Sequence, residues 1–184
     1  MGSLDVSTHS MFQRILATVT AIVLATVLRG EEPKELQTAR EHYQQASPQP
    51  QEADRERYVM SLAHLRDRLA HDRRTEDWQA VDAEIRRHPV PKDADAKALA
   101  KIRLGKWRSP RHEYLFRADG TWTMLPEVID GVKNTHGTWR IEGNKYFEDA
   151  AVPSTTGYTI ILLNRKDFIF ADGQTVFYEV RITK

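Results

Sequence analysis

Seven histidines, His9, His42, His64, His71, His88, His112 and His136, are the side chains in this chain best suited to move protons or ligate a metal near neutral pH. His64 and His71 lie one heptad apart and share a side of any helix that contains them both. They have no HExxH pattern, so their arrangement predicts no zinc site. His112 follows Pro110 at a strand start and His136 precedes one, positions that expose an imidazole to solvent. The chain has no cysteine, which removes disulfides, thiol nucleophiles, thiolate metal sites and lipid attachment through an N-terminal thiol. No Gly-x-Ser-x-Gly elbow, phosphate-cradling loop or dinucleotide fingerprint occurs. Glu148 and Asp149 are adjacent in a predicted strand and so point to opposite faces, unsuited to acid–base pairing. The reading is a protein that is not an enzyme, with no metal and no cofactor.

Charge narrows the partners further. Lys and Arg total 27 against 26 Asp and Glu, and both signs are spread along the chain. No basic field is present to hold nucleic acid or an acidic membrane. The exception to this even mixing is residues 15–28 (ILATVTAIVLATVL), which carry no charge, with Arg14 just before and Arg29-Gly30-Glu31-Glu32 just after. An apolar run of that length suits a secretory signal, which needs about 7–15 apolar residues, better than a spanning helix, which needs about 20. Small residues at Val23-x-Ala25 and at Gly30 offer cleavage points, neither of them ideal, so a retained anchor stays open beside a cleaved signal. Residues 1–30 are accordingly read as leader plus signal peptide or anchor. The protein is expected to be exported, periplasmic or anchored facing the periplasm, and to meet the membrane only through this segment.

Residues 31–103 read as helical. Leu36, Ala39 and Tyr43 recur on one face before the break at Ser47-Pro48-Gln49-Pro50. Tyr58, Leu62, Leu65 and Leu69 line a second helix over 52–72, and Trp78, Val81 and Ile85 a third, with Thr75 as its expected cap. The two stripes predict an αα-hairpin that packs on itself or on the rest of the chain, or seals a partner or a second copy. Alternating charges such as Arg66, Asp67 and Arg68 mark a solvated face. Residues 93–102 read as a short alanine-rich helix with an Asp cap.

From 104 to 184 the period becomes strand-like. Turn signals at Asp119-Gly120, Gly143-Asn144, Asn164 and Asp172-Gly173 separate strands at 106–109, 113–118, 121–125, 137–142, 145–149, 157–163, 167–171 and 175–182. No helix-length crossover intervenes, which predicts an antiparallel meander able to close into a barrel. The fold expected is α+β: an apolar targeting helix, a helical hairpin, then a small eight-stranded up-and-down barrel. Alternation along the last strand puts Val176, Tyr178, Val180 and Ile182 on the apolar face, and Phe177, Glu179 and Arg181 on the more polar one.

Gly105-Lys106-Trp107 after a short helical turn resembles the opening of lipocalins. The segments Asp119-Gly120-Thr121-Trp122 and Gly137-Thr138-Trp139 are similar to those of small lipocalin-like domains in uncharacterised exported bacterial proteins. The resemblance implies that Arg181 lies across Trp107, although Arg181 falls on the polar face and Arg140 beside Trp139 competes for such a role. Gly105, Trp107, Trp139 and Arg181 are thereby structural markers. Strands this short give a shallow barrel, filled by its aromatic side chains or open at the mouth to a small apolar ligand among Tyr114, Trp122, Tyr158 and Tyr178. The alternative from a different class is a protein whose hairpin mediates self-assembly or partner binding above a fully packed barrel. The longer connections, 126–136 and 153–157, are where recognition usually resides.

Overall fold

The computed structural model describes residues 32–46, 51–129, 131–133, 135–150 and 157–183; the predicted targeting segment lies outside them. Among the described residues no helix is long and apolar enough to cross a membrane. Four helices, α1 (Lys34–Ala46), α2 (Glu52–His71), α3 (Thr75–Ile85) and α4 (Ala96–Arg103), precede the strands. These are β1 (Gly105–Arg108), β2 (Glu113–Phe116), β3 (Thr121–Leu125), β4 (Val128–Ile129), β5 (Val132–Lys133), β6 (His136–Glu142), β7 (Lys145–Asp149), β8 (Tyr158–Leu163), β9 (Asp167–Ala171) and β10 (Val176–Arg181).

Eight of the strands close in the order β1-β10-β9-β8-β7-β6-β3-β2, each pair antiparallel, as the hairpin spacing predicted. Strands β4 and β5 form a separate small hairpin inside the 126–136 connection. The turns are local chemistry. Gly120 and Gly143 take φ of +79° and +56°, a region open to glycine at no steric cost. The carboxylate of Asp172 accepts from the amides of Gln174 and Thr175 at 2.8 and 2.6 Å, an Asx turn. Closure brings Trp107 opposite Arg181 and leaves the meander without an edge.

The α2–α3 hairpin forms as its stripes predicted, and those stripes cover the outside of the barrel. Tyr58, Leu62, Leu65, Leu69, Val81 and Ile85 share one core with Ile161, Leu162, Ile169, Ala171 and Val176 of β8–β10. Strands β8 and β9 are therefore buried on both faces. A bulge between Ile160 and Leu162 turns both Ile161 and Leu162 toward the helices. Arg55 of α2 donates to the Ile161 carbonyl at 2.6 Å there. The helical layer also inverts the expected reading of β10. Val176 and Tyr178, taken as the apolar inner face, pack outward against the helices, whereas Phe177 belongs to the barrel core and Glu179 is buried. A second correction concerns the start of α3. Thr75 is its first residue and Arg74 its cap, without a side-chain bond, because Arg73 at φ 58° folds the chain back and the Arg74 amide closes on the Leu69 carbonyl at 2.9 Å. Asp95 caps α4 as expected, accepting from the amides of Lys97 and Ala98.

One carboxylate ties the helical layer together. Glu84 of α3 accepts from Arg40 at 2.9 Å, Arg87 at 2.8 Å, His88 at 3.2 Å and the Tyr58 hydroxyl at 3.1 Å. The Tyr58 ring stacks on Tyr43 with centroids 4.3 Å apart. Burial acts to raise the Glu84 carboxyl, but these donors prevail and hold it at about 2, below the ordinary 4.5. A carboxyl that titrates lower when folded contributes fully above its unfolded value and loses that contribution as pH falls toward the folded one. The difference is worth roughly 3 kcal/mol. In urea unfolding, the stability advantage of the wild type over Glu84→Gln should be constant above about pH 5 and shrink steadily toward pH 2; an advantage that does not change over that interval would refute this role.

Candidate functional site

One end of the barrel is closed by α4 and the segment before it. The Val90 amide donates to the Ile160 carbonyl at 2.9 Å, and Asn144 Nδ2 to the Val90 carbonyl at 2.9 Å. Trp107 is fully buried, and its Nε1 donates to the Arg103 carbonyl at 2.7 Å. The Arg181 guanidinium lies 4.7 Å from the Trp107 ring, donating to the Leu104 carbonyl at 2.8 Å and also to the Ile102 carbonyl. Those carbonyls end α4, where the helix dipole favours a cation. Gly105 is bound to this arrangement twice over. Its φ is +108°, and a Cβ there would stand 3.2 Å from Arg181 Nη1. Arg181 reaches Trp107 because its strand face, shared with Phe177 and Glu179, is the interior and not the solvated side that the alternation implied. Arg140 is outside, over Phe147 at 4.0 Å and bonded to Glu142 and Asp149. Trp139 is buried edge-on to Phe116, and its Nε1 donates to the Arg117 carbonyl at 3.1 Å. Gly137 before it has no room for a side chain: a Cβ would sit 1.7 Å from the Asp149 carbonyl oxygen.

The residue that sequence reasoning missed is Arg103. It ends α4, is completely buried, and puts its guanidinium 3.6 Å from the Phe116 ring, 4.4 Å from Phe168, 5.0 Å from Trp107 and 5.2 Å from Tyr146. Its Nη1 donates to Glu179 Oε2 at 2.6 Å and its Nη2 to the Tyr146 hydroxyl at 3.4 Å. Moving an ion out of water costs several kcal/mol, and here the ring faces and the ion pair offset that cost. Nothing in the sequence marks Arg103 as buried, since it sits in an alanine- and lysine-rich helix that looks solvated. Glu179 had a weak signal, alternating with Phe177 and Arg181.

The other end is open. Tyr114, Trp122, Tyr158 and Tyr178 line one cleft of about 590 Å³ together with Phe170, Phe177, Glu148 and Glu179. Its aromatic wall comes from two arcs of the barrel. Tyr114 and Trp122 on β2 and β3 meet edge to face at 5.8 Å. On β8–β10, Phe170 and Phe177 stack at 5.1 Å with Tyr158 edge-on to both. Tyr178 contributes from the outer lip, its hydroxyl donating to Asp167 at 2.7 Å. The sequence thus named four residues that do converge, although it placed Tyr178 on the wrong side of the wall. Glu148, pointing inward while Asp149 pairs outside with Arg140, accepts from the Tyr146 hydroxyl at 2.5 Å. Burial pushes its carboxyl above the usual range, against that hydrogen bond, and the nearby Glu179 charge pushes the same way. The Trp122 N–H is buried against Gly137 and meets no acceptor among the described residues.

A second recess, about 660 Å³, runs between α1 and α2 over Ala39, Tyr43 and Leu65. It is the larger of the two but more open, and Lys34, Glu35, Asp54, Arg57 and Arg68 around it make it a solvated trough. The barrel cleft is the better candidate because it is more enclosed and its inner wall is aromatic. Of the histidines, His112 lies at the cleft lip, while His64, His71 and His136 are exposed. Among the described residues no three His, Asp or Glu side chains gather as a metal cluster would require.

Fold and cleft define a small closed antiparallel barrel with one plugged end, one aromatic-walled open end and a helical layer on its flank. No protein-family profile matches the chain, and no curated protein or solved structure shows significant similarity to it.

Removing one partner of a buried ion pair costs about 3–5 kcal/mol, whereas replacing both by apolar side chains is often neutral. Arg103→Met should therefore lower unfolding free energy by that amount, and Arg103→Met with Glu179→Leu should recover most of it. Additive losses in a denaturant double-mutant cycle would contradict the pairing.

Proposed function

We propose that this chain is an exported, non-enzymatic, lipocalin-like protein whose barrel mouth binds one small apolar, aromatic-stacking molecule. The observation that carries the reading is the cleft of about 590 Å³ between the Tyr114–Trp122 and Tyr158–Phe170–Phe177 groups. Its volume falls in the range of about 300–1,000 Å³ usual for small-molecule sites. The lipocalin likeness draws support from the Gly105-x-Trp107 opening with Arg181 lying across the indole. Export rests on the signal-length apolar run at 15–28. The competing role, assembly through the hairpin, has little apolar surface to work with, because Leu62, Leu65, Leu69, Val81 and Ile85 are buried against the barrel.

The test uses N-phenyl-1-naphthylamine, a neutral apolar dye, with the purified full chain. Its fluorescence should rise and saturate at one dye per chain. Tyr158→Ala should weaken binding about tenfold, as loss of a stacking face worth about 1.4 kcal/mol implies, while Tyr43→Ala in the α1–α2 trough should leave it unchanged. No saturable enhancement, or sensitivity to Tyr43 and not to Tyr158, would remove the reading.

A further inference from the structure

Of the charged groups that line the cleft, Asp67, Arg111 and His112 are exposed, Arg66 is half-buried and paired with Asp82, Glu148 is half-buried and Glu179 is buried. Glu179 is neutralised by Arg103 at 2.6 Å. Arg103 has no second carboxylate in contact, and Arg181 is held at the closed end by the α4 carbonyls. Glu148 has one hydrogen bond, from the Tyr146 hydroxyl, and no cationic side chain among the described residues within ion-pair distance. Among the described residues this carboxyl, facing an aromatic cleft, has no direct ion-pair partner, only the more distant charge of Arg103 beyond the Tyr146 hydroxyl, which Glu179 already pairs. The rings around it add to the preference, since the faces of Tyr and Trp attract cations and the attraction grows as water is excluded. An anionic ligand would have to bring a second negative charge beside Glu148 and Glu179 while the nearest buried guanidinium is already paired.

We infer that the molecule taken by this cleft is a cationic amine on a flat aromatic body, with the ammonium against Glu148 and the ring between the two aromatic arcs. The inference rests on the ligand-binding reading above and specifies its charge. The acidic residue that selects the ligand is then distinct from the one that holds the barrel together: Glu179 belongs to Arg103, Glu148 to the guest.

Three indoles of matched size separate the possibilities by calorimetry on the full chain: tryptamine, a cation at neutral pH; tryptophol, neutral; and indole-3-propionate, an anion. Tryptamine should bind at least tenfold more tightly than tryptophol, and indole-3-propionate most weakly. Glu148→Gln should reduce the advantage of tryptamine over tryptophol to about twofold or less, with a cooperative thermal unfolding transition showing that the variant is folded. Equal affinities for the three, or a preference for the anion, would overturn the charge assignment and leave the binding site standing. An advantage of tryptamine that survives in Glu148→Gln would overturn the role of Glu148. No measurable binding by any of the three would overturn the inference and the ligand-binding reading together.

Discussion

Arg103 stands completely buried among Phe116, Phe168, Trp107 and Tyr146, with Glu179 as its counter-charge. A guanidinium removed from water tolerates few surroundings, because a lost partner leaves an uncompensated charge. That constraint reaches in three directions. It fixes how α4 enters the barrel, since the Arg103 carbonyl takes the Trp107 N–H. It fixes the last strand, whose Glu179 must face inward and so brings Arg181 inward two residues later, onto the carbonyls that end α4. It also fills the closed half of the barrel with side chains that cannot rearrange independently. First strand, last strand and preceding helix are thereby locked at the seam where the meander closes.

With one end so filled, the short strands still leave the other end open. The wall there is stiffened from outside by α2 and α3, which bury β8–β10 on their outer face. A rigid wall with its aromatic rings already placed would lose little conformational freedom to a guest, which is the physical basis of the proposed binding role. The helical layer consequently works as a brace, and the Glu84 cluster with its stacked tyrosines keeps the brace in one piece.

Much of this was legible in the residues. The eight strands, their meander order, the hairpin and the Asp95 cap follow from periodicity and turn chemistry, because those signals are local and repeat within ten residues. Four mouth residues and the Arg181–Trp107 contact were also named, the latter through resemblance. The illegible part has a common cause. Inward and outward faces of β10 were exchanged because an apolar face was equated with the interior, whereas in a barrel with a helical layer the apolar outer face is buried too, and the interior can hold a paired charge. Arg103 escaped for the same reason: burial of this cation depends on rings contributed by four strands, β1, β2, β7 and β9.

The sequence by itself determined the alternation of strand and turn, the absence of cysteine, and the even mixing of charge along the chain. These are properties of neighbours along the chain. Only the tertiary structure decided which face of each strand is enclosed, that Arg103 and Glu179 meet across 76 positions, and that Glu148 faces an aromatic cleft without an ion-pair partner among the described residues. Closure of a sheet into a cylinder converts sequence alternation into inside and outside, and which is which depends on what else packs against the cylinder.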